Sequence, residues 1–233
     1  VSPRMDNARL ALAGLFGIWI LFAPALPRGA SGLVDAVRPL PSSQAIRQQM
    51  ADEAPSFWSD EQNARNRAAL LERYGVSRIE DIPNPRMAEL DLMERHSHEV
   101  FDRVLGGFYG KVASQDRLFA ALGFLSPTIA AQATSASLAG SDFSHHRHFI
   151  DTAEGYRRNL VNAMNADGMA HRAHGSERHT NDERLWARIP DFAYPAPPLG
   201  RLSSSALPAF AALLVWLGFA GLMLTLASRR LRP

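Results

Sequence analysis

The sequence predicts an all-α protein in which two transmembrane helices bracket an extracytoplasmic helical bundle domain, and three observations carry that prediction. Ala206 to Ala227 is a run of twenty-two uncharged, mostly apolar residues. As a helix it would be about 33 Å long, enough to cross a hydrocarbon core of about 30 Å. Leu10 to Leu26 is a second uncharged run, seventeen residues long and near the lower limit for a span. Between the two, helix caps and helical periodicity recur, and no stretch keeps the alternation of a strand.

Charge places the ends. The chain carries 25 basic and 23 acidic residues, a formal net charge of +2. Arg4, Arg9, Arg229, Arg230 and Arg232 stand against a single Asp6 at the two ends, so the segment from Arg28 to Arg201 is net negative. Arginines flanking the outer ends of both runs follow the positive-inside rule, which reads both termini as cytoplasmic. The layout is then 1–9 as a cytoplasmic end and 10–27 as a span. Residues 28–205 form an extracytoplasmic helical domain with a proline-rich return strap, 206–227 a second span, and 228–233 a cytoplasmic tail. A secretory signal peptide is the rival reading of the first run, with Arg4 and Arg9 as its basic region and Leu10–Phe22 as its apolar one. No small-x-small cleavage site precedes Arg28, and Ala23-Pro24-Ala25 has a proline at its centre, which favours a retained span. The chain contains no cysteine, which excludes disulfides and thiolate metal sites. No dense basic stripe interleaved with aromatics is present, which argues against a nucleic-acid partner.

The elements follow in order. Pro39 and Pro41 lead out of the first run, and Ser42 or Ser43 caps a short amphipathic helix ending near Glu53, stopped by Pro55. Ser59-Asp60-Glu61-Gln62 reads as a capping box opening a helix that ends at Gly75. Ser77-Arg78-Ile79-Glu80 starts one further turn, closed by Pro83. Asn84-Pro85 is an N-cap followed by proline at the first helical position. The helix it opens keeps its period to Phe108 and weakens at Gly106, Gly107 and Gly110. Ser114 is expected to cap a new helix bearing Leu118 and Leu122. Ser126-Pro127 is expected to cap the next, rich in small residues and stopping at Gly140, and so either central to the bundle or packed near the membrane. Asp142 opens a helix with Phe149, Ile150, Tyr156 and Leu160 on its apolar face. From Asn165 to Ser205 the chain turns polar, then proline-rich. Pro208 falls in the first turn of the last span, where a missing N–H costs little.

Candidate chemistry is sparse. His145 and His148 are three residues apart on one helix face, a spacing two imidazoles can use on one metal; the alternative is an Asp142 N-cap with His145 beside it on the surface. His171, His174 and His179, with Asp182 or Glu183 nearby, form a second metal candidate, with a solvated loop as the alternative. Asp151, Glu154, Arg157 and Arg158 read as ion pairs along one helix. No Gly-x-Ser-x-Gly elbow, no Ser-x-x-Lys pair and no phosphate-binding loop is present, so no residue is assigned as catalytic and no cofactor is expected.

One resemblance adds to this. Phe124-Leu125-Ser126-Pro127, Leu138-Ala139-Gly140-Ser141-Asp142-Phe143, His146-Arg147-His148-Phe149 and Glu154-Gly155-Tyr156-Arg157-Arg158 occur in order. A late Pro190-Asp191-Phe192-Ala193-Tyr194 and a closing span ending in arginines follow. The set resembles the C-terminal half of ABC-2-type transporter permease subunits that carry a DUF3526-like domain of unknown function. The resemblance implies a bacterial inner-membrane export permease driven by a separate ABC ATP-binding subunit and paired with a second permease subunit, as homo- or heterodimer, in the lipid bilayer. It marks Ser126, Pro127, Gly140, Asp142, Arg147, Phe149, Glu154 and Arg158 as structural or partner-binding residues. Such permeases carry more spans than the two found here, so the chain is expected to be an excerpt, a truncated reading frame, or a shortened relative that completes a pore with another subunit. The alternative is a two-span sensory or docking module binding a ligand or periplasmic protein; Ser228–Pro233 leaves no room for its output domain.

Overall fold

The computed structural model describes residues 7–57, 59–170 and 182–229, apart from the side chains of 54–57 and 199–206. All regular structure among them is helical, and the all-α expectation is met. The chain divides into two compact units. One comprises Val1–Leu40, Gly110–His148 and Ala196–Pro233; the other comprises Pro41–Tyr109 and Phe149–Pro195. Residues 110–148, expected within a single helical domain, thus belong to the unit that holds the two apolar runs.

In that first unit, α1 (Ala8–Ile20), a π-helical turn (Leu21–Ala25) and α2 (Leu26–Val37) form one helix of 30 residues, longer than the predicted 10–27. Asn7 caps it, its side chain accepting from the Arg9 N–H at 2.9 Å. Pro24 does not end the helix. Its missing N–H is absorbed by widening one turn, so that the Leu26 N–H reaches back to the Leu21 carbonyl, a π-bulge. The last helix, α9 (Leu199–Arg229), also begins earlier than predicted, and Pro208 lies inside it rather than in its first turn. Both helices are long and apolar enough to cross a membrane, and only 6% and 11% of their most apolar windows is buried. The core helix of a soluble protein buries such a face. Exposure along both lengths therefore makes this a membrane-associated chain, with the two candidate crossings bracketing the helical region as predicted.

Two further helices complete the unit. The C-terminal part of α5 (Pro85–Ala121) leads through a 3₁₀ turn (Leu122–Phe124) into α6 (Pro127–Leu138). Gly106, Gly107, Gly110 and Ser114, expected to mark a break, all lie inside α5. Glycine weakens a helix by about 1 kcal/mol relative to alanine, too little to end one that is held elsewhere, and Ser114 instead accepts a hydrogen bond from the Arg38 guanidinium. α6 packs on α9 and on the π turn. Small residues are buried on both helices, Ala130 in α6 and Ala209 and Ala212 in α9, which lets helices approach closely. Ser126 does not use its side chain as the expected cap. Its hydroxyl donates to the Phe22 carbonyl at 3.3 Å. That carbonyl lost its usual partner when the turn widened, because Leu26 bonds to Leu21 and Pro27 has no N–H.

The second unit is built from α3 (Ser43–Phe57), α4 (Asp60–Tyr74), a 3₁₀ turn (Ile79–Asp81), α5 up to Tyr109, α7 (Phe143–Ala170) from Phe149 onward, and the one-turn α8 (Glu183–Trp186). Ser42 accepts from the Ala45 N–H at 3.1 Å, but Pro55 does not stop α3, which runs on to Phe57. Ser59 accepts from the Gln62 N–H at 3.2 Å, and Gly75 closes α4 in the left-handed region at φ 63°. The Val76 N–H bonding to Leu71 at 3.1 Å makes that end a Schellman motif. Leu70, Ile82 and Ala88 form the core, with Tyr74, Ile79 and Leu92 packed on it. The buried Asp91 carboxylate accepts from Arg73 of α4 at 2.8 Å and Arg95 at 3.1 Å, and Glu53 of α3 takes two bonds from Arg103 at 3.1 and 2.6 Å. At the far end of α7, the Asn84 amide donates to the Gly168 carbonyl at 2.9 Å. After Ile189 the chain has no regular structure up to Pro198, the strap the sequence predicts.

Candidate functional site

The residues singled out by the sequence fall into separate groups. Ser126 and Pro127 sit at the start of α6, where the Ser126 hydroxyl braces the π turn as described. Gly140 and Asp142 form the α6–α7 junction. Gly140 takes φ 70°, which only glycine adopts without strain, and the Ser141 N–H bonds back to Ala136 at 2.9 Å. Asp142 is the N-cap as expected, accepting from the His145 N–H at 2.9 Å. It does more than cap. One carboxylate oxygen lies 2.5 Å from His145 Nδ1 and the other accepts from the Ser137 hydroxyl. Burial pushes the Asp142 carboxyl up, but the Ser137 hydroxyl and the N–H and imidazole of His145 together hold it below its ordinary value. His145 is therefore not the surface residue expected: its side chain is 11% exposed.

This junction has a serine, a carboxylate and an imidazole, yet not in the order of a hydrolytic triad. Ser137 faces the carboxylate, whereas a nucleophilic serine must face the imidazole that takes its proton. In the proposed His145–His148 metal pair, Asp142 engages His145 Nδ1, which leaves Nε2 as the ring nitrogen a metal would use. Among the described residues no group of three or more potential ligands converges; His171, His174 and His179 lie outside those residues. The cluster is a brace for the turn. Asp142→Ala is expected to destabilise the chain by about 1–2 kcal/mol, the loss of a cap with a side-chain bond added, read from the urea midpoint. Asp142→Asn, which retains the capping oxygen, should recover much of that loss.

In the second unit, two pieces of the motif progression that are distant in sequence come together. Phe149 stands edge-on to Phe192 and Tyr194 of the strap, with ring centroids 6.1 and 5.3 Å away, and Phe192 also meets Tyr156 at 5.3 Å. The Pro-x-Phe-x-Tyr segment is thus an aromatic latch that fixes the strap along α7. One turn further on, Glu154 accepts from Arg157 at 2.7 and 2.8 Å and from Arg158 at 2.8 Å. Arg158 reaches on to Asp102 of α5 with a bidentate pair at 2.9 and 2.6 Å, and its guanidinium lies over the Phe101 ring. Arg147 is half-buried on the same helix but in the first unit.

The hydrogen bonds from Arg157, opposed by burial and reinforced by Arg158, hold the Glu154 carboxyl at about 2, below its ordinary 4.5. A carboxyl lowered on folding stabilises the fold fully above its unfolded value and ceases to as pH falls through the folded one. Glu154→Gln is therefore expected to lower the melting temperature at neutral pH, and the gap from the natural chain should close between about pH 4.5 and about pH 2.

Among the described residues, a site-like hollow also lies in the second unit and was not legible in the sequence. A groove of about 590 Å³ runs between α4 and the first turns of α5. Leu70, Met87, Leu90 and Met93 supply its apolar surface, and Arg67, Glu80, Arg86 and Glu89 are exposed charges along it. Apolar surface with charges of both signs at its edge suits an amphipathic partner.

No curated protein matches this chain, and no solved structure matches it. A protein-family model does, over residues 43–195, and its description is a domain of unknown function, DUF3526. The match begins at α3 and ends with the aromatic latch, spanning well over half of the sequence, so the chain belongs to the DUF3526 family.

Proposed function

We propose that the chain is a membrane permease subunit, or the C-terminal part of one, of an ABC-2-type exporter. In this reading α1–α2 and α9 cross a bacterial inner membrane with both basic ends cytoplasmic. The DUF3526 region contributes to gating or to engaging substrate or partner. A separate ATP-binding subunit supplies the energy, and a second permease subunit, identical or different, completes the pathway. The observation that carries the proposal is the position of the family match: residues 43–195 stand between two exposed helices of crossing length, in the order the resemblance requires. The α4–α5 groove favours a second reading, a two-span docking module whose helical region binds an amphipathic ligand or a periplasmic protein.

The test is purification of the tagged chain from its native membranes in mild detergent. Co-isolation of an ATP-binding subunit in fixed stoichiometry, with ATPase activity that depends on the chain, supports the exporter. Co-isolation of a kinase or cyclase without an ATP-binding transport subunit would sink it in favour of the docking module.

A further inference from the structure

From Leu118 to Ser141 the chain runs for twenty-four residues without a charged side chain or histidine. These residues end α5, make the 3₁₀ turn and form α6, two helical arms too short for a span and joined by a tight tip. The tip is tied to both candidate crossings. Trp216 Nε1 of α9 donates to the Gly123 carbonyl at 3.0 Å, and Ser126 donates to the Phe22 carbonyl of the π turn at 3.3 Å. Phe22 and Trp216 also touch each other edge-on, at 5.4 Å.

These contacts fix the tip's depth twice, independently. Phe22 is thirteen residues from Arg9, and Trp216 is thirteen residues from Arg229, so both helices put the tip about 20 Å from their basic ends. On the other side, Arg28 lies six residues beyond Phe22 and Arg117 six residues before Gly123, each about 9 Å from the tip. A layer of about 30 Å between those two levels is the thickness of a hydrocarbon core. The side chains agree. At the tip Phe124 and Leu125 are 48% and 62% exposed; Thr128 is half-buried, and the first exposed polar residue of α6 is Gln132, about 8 Å above Pro127.

We infer that Leu118–Leu138 is a re-entrant hairpin that enters the bilayer from the side opposite the basic ends, with Phe124 and Leu125 seated in lipid hydrocarbon. The inference rests on reading α1–α2 and α9 as crossings. A non-spanning backbone turn is tolerated at such depth only where its polar groups are met by protein, and Trp216, bonding to Gly123, supplies one such partner. The exposed leucine and phenylalanine continue the apolar surface of the two crossings, which is why acyl chains are assigned to them.

The cysteine-free chain lends itself to the test. Leu125→Cys, Leu217→Cys and Ser77→Cys are made singly in the full chain and treated, in permeabilised native membranes, with a membrane-impermeant maleimide. Leu217 is 70% exposed on α9 and serves as the lipid reference; Ser77 is the aqueous one. Loss of labelling at Leu125 to the level of Leu217 is expected. A nitroxide at Leu125 should then collide with oxygen as freely as one at Leu217 and be shielded from a nickel chelate. Labelling of Leu125 at the rate of Ser77 with Leu217 protected overturns the hairpin and leaves the crossings standing. Labelling of both overturns the crossings themselves and the hairpin with them. Shielding from oxygen as well as nickel overturns the lipid assignment in favour of a covering subunit.

Discussion

Asn84→Ala is expected to destabilise the second unit by about 2–3 kcal/mol, combining a lost N-cap with a buried carbonyl left unpaired. Asn84 is 8% exposed. Its side-chain oxygen accepts from the Met87 N–H at 3.3 Å, and its amide donates to the Gly168 carbonyl at 2.9 Å, so one side chain both starts α5 and holds the end of α7. Met87 also packs there: a Cβ added at Gly168 would stand 2.7 Å from its Cε, the movable end of a flexible side chain. Asn84→Asp separates the two roles, because it keeps the capping oxygen and removes the donor to Gly168. It should recover the cap alone, about 1 kcal/mol. Urea unfolding of the full chain in detergent, followed by far-ultraviolet circular dichroism, reads the midpoints. Equal stability of Asn84→Ala and the natural chain would refute the junction.

The second large effect is expected at the hairpin tip. A Cβ built on Gly123 meets the Ala130 Cα and Cβ at 3.1 Å and its N at 3.3 Å, and backbone atoms of a buried helix cannot yield as a flexible side chain would. Gly123→Val should cost about 1–3 kcal/mol by overpacking and shift the carbonyl that accepts from Trp216. Ala131→Val, on the exposed side of the same helix, should cost far less. Trp216 fluorescence gives a second readout, since an indole N–H released from its carbonyl changes its emission. If both substitutions left the midpoint and the emission alone, the packing of α6 on α9 would be wrong.

What the sequence revealed of this structure was what is local. Ser59, Gly75, Asn84, Gly140 and Asp142 set helix ends through bonds to residues a few positions away, and all five end helices where their chemistry requires. Gly106, Gly107 and Ser114 misled, because weak propensity at a position says nothing of the packing that carries α5 through it. Pro55 misled likewise, since α3 runs through it to Phe57. The two apolar runs were legible as spans but their lengths were not, since polar residues such as Arg28 and Asp35 extend the first helix beyond its apolar part. The site features depend on long-range pairing. Ser126 finds a carbonyl at Phe22, Arg158 finds Asp102, and Phe149 finds the strap at Phe192, distances no local pattern encodes. The groove between α4 and α5 was invisible for the same reason.

The proposed function turns on α1–α2 and α9 crossing the membrane in opposite directions, with their basic ends on one face and the second unit on the other. Its most direct measurement is labelling of single cysteines from one side of sealed, oriented inner-membrane vesicles. Asn7→Cys and Ser228→Cys should react with an impermeant maleimide on the cytoplasmic face only, and Ser77→Cys on the opposite face only. Reaction of Ser77→Cys on the same face as Asn7→Cys, or of the two end positions on different faces, would contradict the account.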